Sequence, residues 1–282
     1  MSAPHTLYRP PHRRPSVLAT LCVAVAGVLF FYPFLWMFLS AFKDNREIFK
    51  PLQLLPRAFD PQYYRQLFNG EWIPFFQVFT NSLVVAVLQS AGVVVVTSMA
   101  GYAFARNRFA GRGLLFILAL VVIMMPQQAL AIALFSWLNT LGLVNQLAGV
   151  ILPGLVSGLG LLYFTQVFRQ VPDDLVNAAR LAGASEFRVY LTLLPLVSSA
   201  LLSFGLIQFI LAWHEHLIPL LVLSSAEKQT LPIALAGLYG SSLRFPYAVL
   251  MAASSLILLP TVVLFALLYR RFQSALSELL AH

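Results

Sequence analysis

The stretch AWHEHLIPLL, residues 212–221, combines ionisable side chains that can carry protons or bind a metal ion. Glu215 lies between His214 and His216 in an otherwise apolar run. Residues two apart point to different sides of a helix, so we predict no metal site here. Two interpretations of Glu215 stay open: a place in a polar translocation path, or a place beside Trp213 in the aromatic belt at a membrane interface.

Amide side chains also occur within apolar segments, where they can hydrogen-bond the hydroxyl groups of a solute. Asn81 lies in one such segment, and Gln127 and Gln128 follow Pro126 in another. Kinked helices with amides near mid-membrane are what a solute path requires, whereas helix packing explains most of the small and hydroxylated residues nearby. The predicted path residues are Asn81, Gln127, Gln128, Trp213, His214 and Glu215.

A third stretch, NAARLAGASEF at residues 177–187, has the composition of a contact with another protein. Pro172 and the two aspartates after it predict a helix start, because proline suits the first turn and anions suit the positive end of the helix dipole. Gly183 predicts the end of this helix, and Ser185 the start of a second one. Small side chains at the apex permit close approach of another protein but do not anchor in lipid. An amphipathic connector lying on the bilayer is the alternative.

The composition requires a membrane around these segments. Of the 282 residues, 60% are apolar and 10% are charged, against about 25% charged in ordinary soluble domains. The apolar runs are continuous rather than alternating, which favours helices over a barrel. We interpret the net charge of +8 as an excess of Lys and Arg on cytoplasmic loops rather than as a nucleic-acid surface.

A membrane span needs about 20 largely uncharged residues, and the sequence offers six such windows. They are residues 17–42, 80–105, 113–135, 146–168, 196–223 and 246–269. The predicted fold class is therefore an all-α membrane protein with six transmembrane helices. NTLGLVNQ at 139–146 supplies the turn that divides the uncharged run from 113 to 168. Four prolines are predicted to interrupt helices: Pro33, Pro126, Pro153 and Pro260.

The distribution of basic residues predicts the orientation. With the N-terminus inside, eleven of the eighteen Lys and Arg residues fall on cytoplasmic segments. They are Arg9, Arg13, Arg14, Arg106, Arg108, Arg112, Arg169, Arg180, Arg188, Arg270 and Arg271. This orientation predicts cytoplasmic tails at 1–16 and 270–282, an external loop at 43–79 and a cytoplasmic loop at 169–195. We call residues 169–195 the coupling loop.

The coupling loop resembles the cytoplasmic loop signature of ATP-binding cassette importer permeases. That signature is usually Glu-Ala-Ala, three residues, Gly, and Leu-Pro about a dozen positions later; here it stands as Asn177-Ala178-Ala179, Gly183 and Leu194-Pro195. The resemblance covers nearly the whole chain and points to the carbohydrate-uptake branch, similar to the second, smaller permease of maltose and glycerol-phosphate systems. Further stretches follow in family order: YPFLWMFLSAFK (32–43), TNSLVVA (80–86), AGYAFARNRFAGRGLLF (100–116), MMPQQ (124–128), LGLVNQLAGVILP (141–153), QVFRQVPDDL (166–175) and AWHEHLIPLLVLS (212–224).

The sequence departs from the family pattern at identifiable positions. Asn177 replaces the signature glutamate, and Ala182 stands where the branch usually has aspartate. One residue fewer separates Gly183 from Pro195, which turns the downstream helix by about 100° relative to the apex. WHEH at 213–216 replaces the usual Trp-Asn followed by an acidic or amide residue and an aromatic one.

The resemblance implies a permease subunit, not an enzyme, that forms half of the path for a sugar or related polar solute in an ATP-driven, binding-protein-dependent importer. The sequence holds no Gly-x-x-x-x-Gly-Lys-Ser/Thr phosphate loop, so this chain is expected to bind no cofactor, and separate ATPase subunits use the ATP and Mg. The implied ATPase contact is Asn177, Ala178, Ala179, Arg180, Leu181, Ala182, Gly183, Ala184, Ser185 and Phe187.

The resemblance also implies the surroundings of the chain. The implied partners are a homologous second permease, two ATPase subunits, an extracytoplasmic solute-binding protein and the lipid bilayer, with no nucleic acid. The implied location is the cytoplasmic (inner) membrane of a bacterium or archaeon. Two alternatives stay open at this point: an ion-coupled secondary transporter that uses Glu215, and a membrane scaffold that transports nothing.

Overall fold

The structure is a computed structural model that describes residues 17–50, 53–240 and 247–280; the side chains of residues 127, 239–240 and 268–280 lie outside the description. All regular secondary structure in these ranges is helical, as predicted. The helices are α1 Val17–Ser40, α2 Asn45–Ile48, α3 Gln62–Phe68, α4 Phe75–Arg106, α5 Arg112–Met124, α6 Gln127–Thr140, α7 Leu147–Ile151, α8 Gly158–Gln170, α9 Asp173–Leu181, α10 Glu186–Leu193, α11 Ser198–Trp213, α12 Leu217–Val222, α13 Leu231–Gly240 and α14 Tyr247–Leu280. Short 3-10 turns cover Pro153–Leu155 and Ala226–Lys228. The predicted N-terminal tail at 1–16 and the last two residues lie outside the described ranges.

Helix α4 lies at the centre of the bundle and packs against α8 and α11. Its buried residues recur at helical spacing, as Val78, Ser82, Val85, Val93 and Thr97 illustrate. Its other side exposes large apolar side chains, which face lipid in a membrane rather than water. By contrast, α1 exposes apolar residues along nearly its whole length, and its buried residues are the last two.

The backbones of α4 and α8 approach closely because Gly101 has no side chain. A Cβ atom at Gly101 would lie 2.5 Å from the Cβ of Phe164 and 2.8 Å from its carbonyl carbon. Both distances are shorter than carbon atoms tolerate, and Phe164 is fully buried. Small residues at helix contacts are typical of membrane bundles, where close packing replaces the hydrophobic effect as the driving force.

Three helical segments are each long and apolar enough to cross a membrane: α1, α4 and Tyr247–Leu267 of α14. Three bent pairs reach the same length together, so the described residues offer three spans, or up to six if each bent pair is one span. The pairs are α5 with α6, Leu147–Leu155 with α8, and α10 with α11. Within the window 113–135 the chain breaks at Met125-Pro126, and α6 then continues beyond the window to Thr140.

The proline predictions are half right. Pro126 and Pro153 lie at helix breaks, whereas Pro33 and Pro260 lie inside continuous helices. A proline removes one backbone hydrogen bond, but a helix in lipid has no better partner for its remaining backbone groups and therefore continues.

The segment from 43 to 79 folds back onto α14. The hydroxyl of Tyr64 lies 2.8 Å from that of Ser255, and the backbone N–H of Tyr247 donates to Asn45 Oδ1 at 2.8 Å. Lys43 is fully buried and donates to the backbone oxygen of Gln53 at 2.6 Å; burial lowers the pKa of Lys43. This segment is therefore a folded part of the bundle.

Gly101→Ala tests the close approach of α4 and α8. The added methyl must displace the backbone of α8, so we expect a loss of about 1–3 kcal/mol in stability. Thermal unfolding in detergent should show a lower midpoint than wild type. Gly27→Ala in α1 is the matched control, because a Cβ there meets no described atom within 4 Å. Equal midpoints for the two variants would contradict the assigned contact.

Candidate functional site

The coupling loop consists of α9 and α10 joined by a tight turn. Pro172 precedes α9, Asp173 and Asp174 occupy its first turn, and Ser185 precedes α10, as predicted. Gly183 has φ of +79°, a conformation that glycine adopts without strain. The N–H of Ala184 donates to the carbonyl of Ala179 at 3.1 Å, the hydrogen bond of a glycine-terminated helix.

One face of the coupling loop belongs to the core of the bundle. Val176 on α9 is buried, and so are Val189 and Leu193 on α10. They pack in one cluster with Phe164 and Phe168 of α8. Ala179 and Ala184 also pack against this cluster, so these two members of the predicted contact face the chain's own interior.

The opposite face of the coupling loop is apolar and exposed. Leu181 is 89% exposed and Phe187 57%, while Leu175, Ala178 and Ala182 are exposed beside them. We call these five residues the docking patch. Asn177, Gly183 and Ser185 of the predicted contact are exposed as well. An apolar surface of this kind is covered either by another protein or by the bilayer.

Hydrogen bonds fix the coupling loop to the end of α4. Glu186 accepts from the hydroxyl of Tyr102 at 2.8 Å and from Arg180 at 2.8 and 3.1 Å. Arg180 also donates to Asn107 Oδ1 at 3.2 Å, so it faces α4 rather than a partner. The hydrogen bond from Arg180 lowers the pKa of Glu186, so this carboxylate stays charged to lower pH than an ordinary glutamate.

Arg106, the last residue of α4, holds the junction between α8 and α9. Its guanidinium donates to the carbonyl of Phe168 at 2.5 Å, to the carbonyl of Val171, and to the carboxylate of Asp173. The side chain of Arg106 is 8% exposed, whereas that of Asp173 is 80% exposed. The sequence indicated Arg106 only as a cytoplasmic charge, because its partners are more than 60 positions away.

Two predicted path residues are engaged by the chain itself. Asn81 is buried, and its Nδ2 donates to the carbonyls of Glu227 at 2.8 Å and Gln229 at 3.0 Å. Trp213 is fully buried and donates from Nε1 to the carbonyl of Ile257 at 2.9 Å. In this conformation both side chains join helices to neighbouring segments. Gln128 is exposed, and the side chain of Gln127 lies outside the description.

Glu215 lies between two helices rather than within one. It lies in the break between α11 and α12, where its carboxylate accepts from the backbone N–H of Leu217 at 2.8 Å and of His216 at 3.0 Å. Because the first N–H groups of a helix have no partner inside it, a carboxylate here stabilises the restart of the chain. His214 and His216 are exposed beside it.

Asn145 joins two loops at a point where the sequence indicated only a turn. It has φ of +58°, and its Oδ1 accepts from the backbone N–H groups of Ser224 at 3.2 Å and Ser225 at 3.1 Å. Its carbonyl accepts from Lys228 at 2.9 Å. Asparagine is among the residues that tolerate this backbone conformation, which is the one local signal for it.

Comparison with known proteins identifies the class of this chain. Residues 92–277 match the family of binding-protein-dependent transport system inner membrane components. The matched range includes the coupling loop and residues 92–106 of α4. The chain therefore belongs to this family. It is a permease subunit of an ATP-driven, binding-protein-dependent importer and not an enzyme.

Individual relatives align with this chain over nearly the full length of both proteins. The chain is 31% identical to the arabinooligosaccharides transport system permease protein AraQ of Bacillus subtilis, over 93% of this chain and 94% of that one. It is 30% identical to the trehalose transport system permease protein SugB of Mycobacterium tuberculosis, over 94% and 97%. The crystal structure of a bacterial ABC transporter that imports the acidic polysaccharide alginate has the same fold, with a TM-score of 0.81 at 16% identity, over 93% of this chain and 99% of that one.

Substitutions at Glu215 separate its backbone-binding role from a proton-carrying role. Glu215→Gln keeps an acceptor oxygen for the α12 backbone, so we expect uptake and thermal stability close to wild type. Glu215→Ala removes the acceptor and should lower stability by about 0.5–2 kcal/mol. Uptake assays and thermal unfolding on both variants test this. If Glu215→Gln abolishes uptake while its unfolding midpoint is unchanged, the carboxylate has a function beyond capping.

Proposed function

We propose that this chain carries a sugar or related polar solute and that its coupling loop binds an ATPase subunit through the docking patch. The observation that carries the proposal is the two-sided construction of the loop. One face is packed and hydrogen-bonded to α4 and α8, while Leu181 and Phe187 on the other face are exposed. A surface fixed on one side and apolar on the other is suited to transmit force from a partner.

The proposed topology has six spans, with each bent pair counted as one, and both termini in the cytoplasm. In this arrangement α4 and α8 run in the same direction, as the Gly101–Phe164 and Arg106–Phe168 contacts require. Both helices then end on the side that carries the coupling loop. The excess of arginine on the segments around Arg106 and Arg180 supports a cytoplasmic position for that side.

The proposed assembly pairs this permease with a homologous second one, above two ATPase subunits and below an extracytoplasmic solute-binding protein in the inner membrane. The ATPase subunits use ATP and Mg, and this chain holds neither. ATPase closure pushes the docking patch, and the permease alternates between inward and outward access. The names of AraQ and SugB, an arabinooligosaccharide and a trehalose permease, support the sugar class.

Leu181→Glu tests the docking patch. Burial of a leucine side chain contributes about 1.5–3 kcal/mol, and 1.4 kcal/mol is tenfold in affinity, so the variant should bind the ATPase at least about tenfold more weakly. The exposed position of Leu181 leaves the fold of the permease unaffected. The measurement is ATPase pull-down with detergent-solubilised permease, followed by oligosaccharide uptake in reconstituted complexes.

The matched control is Leu55→Glu, an equal substitution at an exposed leucine of the 43–79 segment. It should retain ATPase binding. Wild-type affinity for the ATPase in Leu181→Glu would contradict the proposed docking role. An equal loss of affinity in Leu55→Glu would contradict it as well. Wild-type complexes that hydrolyse ATP but take up no oligosaccharide would contradict the solute class alone.

A further inference from the structure

Arg106 differs from the other polar links between α4 and the coupling loop in what it binds. The hydrogen bonds Tyr102–Glu186, Arg180–Asn107 and Ser98–Tyr190 each join one side chain to another. Arg106 is almost fully buried, and two of its three acceptors are backbone carbonyls. A bond to the backbone fixes the path of the chain itself rather than one side-chain rotamer.

The acceptors of Arg106 lie where α8 ends and α9 begins. Phe168 is in the last turn of α8, Val171 follows that helix, and Asp173 opens α9. The last carbonyls of a helix lack partners within it and carry partial negative charge, so a guanidinium placed there satisfies them and stabilises the helix end. The planar fork of donors on one arginine can bind all three groups together, which a single ammonium group does less well.

The contacts of Arg106 also determine which helices would move together with the coupling loop. α4 and α8 already share the contact at Gly101, and α9 and α10 share the core cluster with α8. The junction at residues 171–172 connects these two parts and is the place where the loop could pivot on α8. Three bonds from α4 close that junction.

We propose that Arg106 is a positioning residue that locks the α8–α9 junction to α4, so that displacement of the coupling loop moves α4 and α8 as one unit. The inference rests on the proposed function, since it takes the docking patch as the surface on which the ATPase acts. Without the lock the loop pivots, and ATP hydrolysis proceeds without moving the spans.

Arg106→Ala, Arg106→Lys and the control Arg108→Ala test this proposal in reconstituted complexes with the ATPase subunits and the solute-binding protein. Arg108 is exposed two positions later, so its replacement removes the same charge from the same segment. The readouts are ATPase pull-down, thermal unfolding, ATP hydrolysis and oligosaccharide uptake. The deciding quantity is the number of solutes taken up per ATP hydrolysed.

We expect Arg106→Ala to keep the ATPase bound and hydrolysing, with uptake per ATP at least tenfold lower than in wild type. Arg106→Lys keeps the charge and some donors, so its ratio should be intermediate, and Arg108→Ala should match wild type. A merely structural role lowers assembly, hydrolysis and uptake together and leaves the ratio unchanged. An unchanged ratio in Arg106→Ala, or an equal fall in Arg108→Ala, overturns the inference. Failure of the proposed function would give a different result: Leu181→Glu would not weaken ATPase binding.

Discussion

The close approach of α4 to α8 at Gly101 sets the geometry of the cytoplasmic half of the bundle. Because no side chain separates the helices there, the backbone of Phe164 rests directly on α4. Five residues on, at about 1.5 Å per residue, Arg106 arrives beside the end of α8 and reaches the carbonyl of Phe168. A bulkier contact at Gly101 would move Arg106 away from these acceptors. Gly101 therefore allows α4 and α8 to approach closely, and this proximity lets Arg106 bind the segment between α8 and α9.

The coupling loop gains two different faces from the same helical period. On α9, Val176 points into the core, while Leu175 and Ala178 point out. The inner face is stabilised by burial against α8 and by hydrogen bonds to Tyr102 and Asn107. The residues of the outer face are exposed and are not required for packing within the bundle. The departures from the family signature at Asn177 and Ala182 both fall on exposed positions, so they alter the outer surface of the loop rather than its anchorage.

The sequence predicted those parts of the site that are determined by neighbouring residues in the chain. Pro172, Asp173 and Gly183 act within a few residues of themselves, and the helix start and the turn occur where those residues place them. The apolar windows likewise predicted where membrane helices occur. Hydropathy alone does not locate the breaks at Pro126 and before α8; the prolines Pro126 and Pro153 indicated them instead.

Several polar side chains have partners far away in the chain that the sequence does not indicate. Asn81 and Trp213 have side chains suited to a sugar, yet their donors are occupied by carbonyls 146 and 44 positions away. The contact of Glu215 with the backbone depends on the end of α11 at Trp213, which a continuous apolar run does not indicate. Arg106 was visible only as a charge, since the acceptors that define its role come together through the packing of α4 on α8.

Rigid movement of α4 with the coupling loop is most directly tested by an intramolecular distance. Spin labels at Met99 on α4 and Asp174 on α9, both exposed, can be introduced after Cys22→Ser removes the one native cysteine. The distance distribution is then measured in assembled complexes that are nucleotide-free and in complexes trapped with ATP. If the α8–α9 junction is locked to α4, the main peak lies at the same distance in both states. A main peak that shifts between the two states would show that the loop pivots on α4, and would contradict the account.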